Sequence, residues 1–139
     1  SDSATIAGTI RYFHSDVIEM AEARMQELCA GLAAAYGVTI EVALRNVFDV
    51  LQNDPDLSQA YIEAAADVVG ADMAMITEDQ MTGSEDFADM LQVVPGAYCR
   101  VGHVGSVPLH NPSFVLDDAI LPVGASVYAR IIETRLKRS

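Results

Sequence analysis

The chain has 139 residues, 51% of them hydrophobic and 20% charged, with a net charge of −12 from 20 acids and 8 bases. This size suits one compact domain, and the apolar content excludes an intrinsically disordered chain. No apolar run approaches the roughly 20 residues of a membrane span, and a chain this acidic has little material for a cationic nucleic-acid face. The expectation is a cytoplasmic protein with no membrane or nucleic-acid partner, since no secretory leader opens the sequence.

Residues 5–13 alternate β-branched and other residues, which predicts a strand, with Gly8 marking a bulge or close backbone approach. Ser15 or Asp16 is then expected to cap a long helix reaching Tyr36, with Glu19 completing a capping box. Val17, Ala21, Met25, Leu28, Leu32 and Tyr36 recur three and four apart and predict one buried stripe. Gly37 is the expected terminator, because glycine takes the left-handed conformation freely. Residues 38–46 alternate again and predict a second strand.

Asn53-Asp54-Pro55-Asp56 reads as a turn, a helix cap and a hinge between lobes. A helix is predicted from Leu57 to Val69, with Leu57, Tyr61, Ala65 and Val68 inward, and then a short strand over 73–76. Ser84 is expected to cap a short helix carrying Phe87, Leu91 and Val94. Pro95-Gly96 turns the chain into another predicted strand, 97–104. Asp117 or Asp118 should cap a last helix with Val123, Val127, Ile131 and Leu136 inward. Arg130, Arg135, Lys137 and Arg138 put positive charge at its C-terminal end, as the helix dipole favours. Strands alternating with helices predict the α/β class.

Few residues offer chemistry. His110 sits in a loop beside Asn111-Pro112, where an imidazole can serve as metal ligand or acid/base, or simply as a surface side chain in a rigid turn. His14 and His103 read as strand-end or surface residues. Gly83, Ser84, Glu85 and Asp86 open a helix and could line a cleft or only cap it. Arg11 is a cation in an uncharged run, suited to a bidentate carboxylate contact or to a solvated sheet edge. Cys29 and Cys99 match no zinc pattern and read as free buried thiols, one disulfide being the other option. One loop histidine cannot hold a catalytic metal alone.

Several segments in order carry a resemblance. Residues 3–11, SATIAGTIR, resemble the "SAT-hydrophobic-x-GT-hydrophobic-R" strand of metal-dependent amidohydrolases and peptidases, the family of hippurate hydrolase, N-acyl-amino-acid amidohydrolases and auxin-conjugate hydrolases. Asn53-Asp54-Pro55 is similar to its "VND-P" crossover, Gly83-Ser84-Glu85-Asp86-Phe87 to its "GSEDF" loop and Val94-Pro95-Gly96-Ala97 to its "VPGA" turn. Pro108-Leu109-His110-Asn111-Pro112 resembles its "PLH-S/N-P" ligand loop, and Asp117-Asp118 and Leu121-Pro122-Val123-Gly124 follow in family order. Phe48-Asp49-Val50-Leu51 departs from the prolines often found before "VND".

The resemblance implies a fragment. Residues 1–53 would be the second half of a ferredoxin-like lid or dimerisation domain, and 54–139 the C-terminal part of a metallopeptidase-type α/β catalytic domain. The parent would be a metal-dependent hydrolase cleaving the amide bond of N-acyl amino acids. His110 would be the last ligand of a pair of divalent metals (zinc, manganese or similar), Arg11 a substrate-binding residue, and Gly83, Ser84, Glu85 and Asp86 cleft-lining. The segments that supply the other ligands and the general base do not occur in the sequence, so the fragment is expected to be inactive and to bind metal weakly. The resemblance also implies pairing of subunits through the lid. The competing expectation is a non-catalytic dimerisation or binding module.

Overall fold

A computed structural model of the chain describes residues 2–105 and 107–136. The described residues contain four α-helices: α1 (Ser15–Tyr36), α2 (Pro55–Val69), α3 (Phe87–Leu91) and α4 (Ile120–Arg135). A 3₁₀ turn, Ala71–Met73, follows α2. The chain divides into two compact units, Ser1–Gln52 with Asp79–Val93, and Asn53–Glu78 with Val94–Ser139.

No strand forms among the described residues, which corrects the strands expected at 5–13, 38–46, 73–76 and 97–104. Alternation prepares a segment for a sheet, but a strand exists only when a second segment pairs its N–H and C=O groups. The observed architecture is helical, so the α/β class does not appear in it.

In the first unit, α1 begins at Ser15 with His14 in the cap position and no side-chain cap. Ser15 donates its hydroxyl to Asp49 Oδ1 at 3.2 Å, which corrects the cap assigned to Ser15 or Asp16. Gly37 ends the helix in the left-handed region (φ 64°), as its sequence position predicts. Val17, Ala21, Cys29 and Ala33 are half-buried, whereas Met25, Leu28, Leu32 and Tyr36 are exposed. The predicted apolar stripe is real as a pattern, but its C-terminal part has no cover. In α3, Ala88 is fully buried, and Asp86 rather than Ser84 takes the cap position. Val94, expected behind that helix, is exposed.

The second unit is built on α2 packed against α4. Asp54 caps α2 by accepting the Leu57 amide at 2.9 Å, and Pro55 follows as the first helical residue, where its missing N–H costs nothing. Leu57, Tyr61, Ala65 and Val68 are half-buried as predicted, and Ala64 is buried. From α4, Val127 is 5% exposed, with Val123 and Ile131 half-buried beside it. Leu136, expected inward, is exposed. Ala119 takes the cap position of α4 with no side-chain cap, which corrects the cap expected at Asp117 or Asp118; Asp117 accepts the Ala119 amide at 2.9 Å. Pro122 lies in the first turn of α4, a position that tolerates it. Arg130 bonds Asp67 across the helix pair at 2.8 Å and Glu133 at 3.4 Å, and the Asp67 bond leads in holding its guanidinium above the ordinary range. Lys137 and Arg138, expected to add charge to this end, lie outside the described residues.

Two polar devices tie loops to this helix pair. Asn53 Nδ2 donates to the Tyr98 carbonyl at 2.9 Å while Asn53 Oδ1 accepts the Tyr98 amide at 2.8 Å. One side-chain amide thus imitates a backbone partner. The Asp54 amide adds a bond to the Gly96 carbonyl at 2.9 Å. Second, Tyr61 meets Tyr128 edge-on at 6.3 Å, with the Cys99 thiol close enough to act on its phenol. Burial first, then Cys99 and Tyr128, pushes the Tyr61 phenol above the tyrosine range. Cys29 and Cys99 are both free thiols, half-buried.

Candidate functional site

The first unit brings together two of the residues singled out in the sequence. Arg11 Nη1 donates to Ser84 Oγ at 2.7 Å, across 73 positions of chain. Both side chains are exposed. Ser84 is free to accept this bond because it does not cap α3. Arg11 forms no ion pair with a described residue, although Glu85 and Asp86 adjoin its partner. Its planar fork therefore has one arm fixed and further N–H donors unspent. Gly83, Glu85 and Asp86 are exposed beside Ser84.

In the second unit, His110 is exposed and is the one non-glycine residue with positive φ (66°) among those described. Left-handed backbone costs an L-residue about 1–2 kcal/mol through its Cβ. The turn after it is closed by Asn111, whose Oδ1 accepts the Ser113 amide at 2.9 Å and whose carbonyl accepts the Phe114 amide at 2.9 Å. The Phe114 ring stands edge-on to His103 at 5.5 Å. The His110 imidazole makes no hydrogen bond, ion pair or ring contact with another described residue. Such a ring is available as one ligand of a metal. No group of three or more His, Cys, Asp and Glu side chains that could hold an ion occurs among the described residues, so they fit one corner of a centre and no more.

A cavity of about 590 Å³ opens between the loops of this unit, lined by His103, Val104, Val107, Val115, Leu116 and Asp118 among others. His110 is not part of its wall. His103, which its sequence context marks as a surface or strand-end residue, is half-buried with its ring against Phe114.

Comparison with known proteins adds to this geometry. The family model described as peptidase family M20/M25/M40 matches residues 4–134. The chain belongs to this family. Among relatives of the M20/M25/M40 chain, N-acetylcysteine deacetylase of Bacillus subtilis is 30% identical over 130 residues, 94% of this chain and 33% of that protein. Hippurate hydrolase of Campylobacter jejuni is 26% identical over 136 residues, 98% of this chain and 36% of that protein. IAA-amino acid hydrolase ILR1-like 6 of Arabidopsis thaliana is 28% identical over 144 residues, 97% of this chain and 31% of that protein. The chain thus spans about a third of the length of the curated relatives it matches. No solved structure matches it. No helix among the described residues is long and apolar enough to cross a membrane.

Proposed function

We propose that these residues are part of a metal-dependent amidohydrolase that cleaves the amide bond of N-acyl amino acids, and that the 139-residue chain alone is inactive. The observation that carries the reading is the Arg11–Ser84 hydrogen bond, which sets a cation that pairs with no acid among the described residues beside the Gly83–Asp86 loop. The names of the relatives support the substrate class: a hippurate hydrolase and an N-acetylcysteine deacetylase both act on acylated amino acids with a free carboxylate.

Each residue has a role on this reading. Arg11 binds the substrate carboxylate through the donors that Ser84 leaves unspent. Gly83, Ser84, Glu85 and Asp86 line the cleft around it. His110, exposed at the start of the Asn111 turn, offers its imidazole as a ligand to a divalent metal. When bound, the metal pair would polarise the amide carbonyl and lower the pKa of a water. The reading carries the family's α/β architecture with it. Residues 1–53 form half of a ferredoxin-like lid and 54–139 the end of the catalytic domain, in a cytoplasmic protein.

The test is hydrolysis of hippurate and N-acetylcysteine by the full-length gene product, before and after chelation, with the 139-residue chain assayed in parallel. Metal-restored activity that His110→Ala abolishes is the expected outcome. Activity indifferent to chelation and to His110→Ala would refute it.

The exposed apolar residues Met25, Leu28, Leu32 and Tyr36 on α1 favour a second reading, a module that pairs with another copy of itself. Pairing and hydrolysis are compatible. Pairing without hydrolysis in the full-length product would leave the second reading standing alone.

A further inference from the structure

We infer that Ser84 is a positioning residue for Arg11, fixing the guanidinium so that its remaining N–H donors meet a carboxylate in a two-point contact. The inference rests on the reading of Arg11 as the carboxylate anchor and extends it to the hydroxyl that orients it.

A free arginine side chain loses much rotamer freedom when it is held in one geometry. Arg11 is exposed, so packing does little to hold it. The partner that does hold it is Ser84 Oγ, at 2.7 Å from Nη1. The identity of that partner decides the consequence. Where Arg24 and Arg130 occur, a carboxylate takes the guanidinium: Glu27 at 2.7 Å and Asp67 at 2.8 Å. Those cations are neutralised. Arg11 lies beside a loop that carries two acids, Glu85 and Asp86, yet bonds the neutral hydroxyl between them and Gly83. A hydroxyl orients the fork without cancelling its charge. The ordering cost is then met before a ligand arrives, and the positive charge stays available to it.

Loss of the hydroxyl should weaken substrate binding without touching the bond-breaking step. In the full-length gene product, Ser84→Ala should raise KM for hippurate by about three- to tenfold, the usual range for one hydrogen bond to a charged group at an accessible site, with kcat unchanged. Ser84→Thr keeps the hydroxyl and should restore KM. Hippuramide, the neutral counterpart of hippurate, should compete against wild type and Ser84→Ala with the same inhibition constant. The effects of Arg11→Ala and Ser84→Ala should be non-additive, because the hydroxyl acts only through the guanidinium.

Three results overturn the inference. A KM unmoved by Ser84→Ala while Arg11→Ala raises it would show that Arg11 needs no help. Additive effects would show that Ser84 acts elsewhere. A loss of kcat or of melting temperature that Ser84→Thr fails to restore would show a structural role. A wild-type KM in Arg11→Ala is a different failure: it removes the underlying reading of Arg11 as the anchor.

Discussion

The left-handed backbone at His110 gives a perturbation whose sign separates strain from contact. The residue sits at φ 66°, and its ring makes no hydrogen bond, ion pair or ring contact with another described residue. Replacing it by glycine removes the Cβ clash, a gain of about 1–2 kcal/mol. The added freedom of glycine in the unfolded chain takes back about 0.4–1 kcal/mol. The net expectation for His110→Gly is a stabilisation of about 0.5–1 kcal/mol, or a few degrees in melting temperature for a chain of this length. His110→Ala keeps the Cβ, so its stability should stay within about 0.5 kcal/mol of wild type. Both substitutions remove the imidazole, and both should abolish metal-dependent hydrolysis in the full-length gene product. Urea unfolding of the 139-residue chain measures the stability arm. A His110→Gly chain destabilised by more than about 1 kcal/mol would refute the strain argument, because a change of that sign requires contacts the ring is not making. A destabilised His110→Ala chain would refute it too, by assigning the ring a packing role.

Three further outcomes follow from the same geometry. The Tyr61 phenol is raised above its unfolded value of about 10, so its contribution is complete below that pH. Above it the unfolded chain loses a proton that the folded chain keeps, and stability falls by up to about 1.4 kcal/mol per pH unit. Tyr61→Phe should flatten this alkaline slope in denaturation curves taken between pH 9 and 11 (about the ordinary tyrosine pKa); an unchanged slope would assign it to other groups. Asn53→Ala removes both bonds to Tyr98 and leaves two half-buried backbone groups without that partner, so it should cost about 1–3 kcal/mol by urea unfolding. A cost near zero would mean that water replaces the amide freely. Leu28→Glu with Leu32→Glu places charge on the exposed face of α1 and should shift sedimentation velocity profiles towards monomer at high concentration. A wild-type chain that is already monomeric there would remove this face from any pairing.

The helices were readable because a helix closes its hydrogen bonds within its own segment. The periodicity of α1, the Gly37 stop, the Asp54 cap and the inward residues of α2 all rest on neighbours a few positions away. The segments 5–13, 38–46, 73–76 and 97–104 carry the right residue types for strands, but their state depends on partners that alternation cannot name. The cap at Ser84 failed for a related reason. A serine ahead of a helix has a local use and a distant one, and here the distant Arg11 takes the hydroxyl. Likewise, the sequence pattern at α1 foretold a continuous stripe without saying how far along the helix it would find cover.

The candidate site was legible at the level of residue type and not of arrangement. His110 was marked by a loop and by resemblance; its positive φ could not be read from Leu109-His110-Asn111, since histidine enters that region far less readily than glycine. That conformation matters because it is maintained against a local penalty while the ring makes no compensating hydrogen bond, ion pair or ring contact within the described residues. Arg11 presents the complementary case: a favourable contact that leaves its charge uncancelled. In both places the chain forgoes stability that an ordinary substitution would supply, glycine at 110 or an acid at 84. Ser84→Asp makes the second point measurable. It should raise the stability of the 139-residue chain slightly, by up to about 1 kcal/mol through an exposed ion pair, and it should raise KM for hippurate more than Ser84→Ala does in the full-length gene product. An enzyme whose KM is lower with aspartate at 84 would contradict the idea that the guanidinium is kept without a counter-ion for a carboxylate.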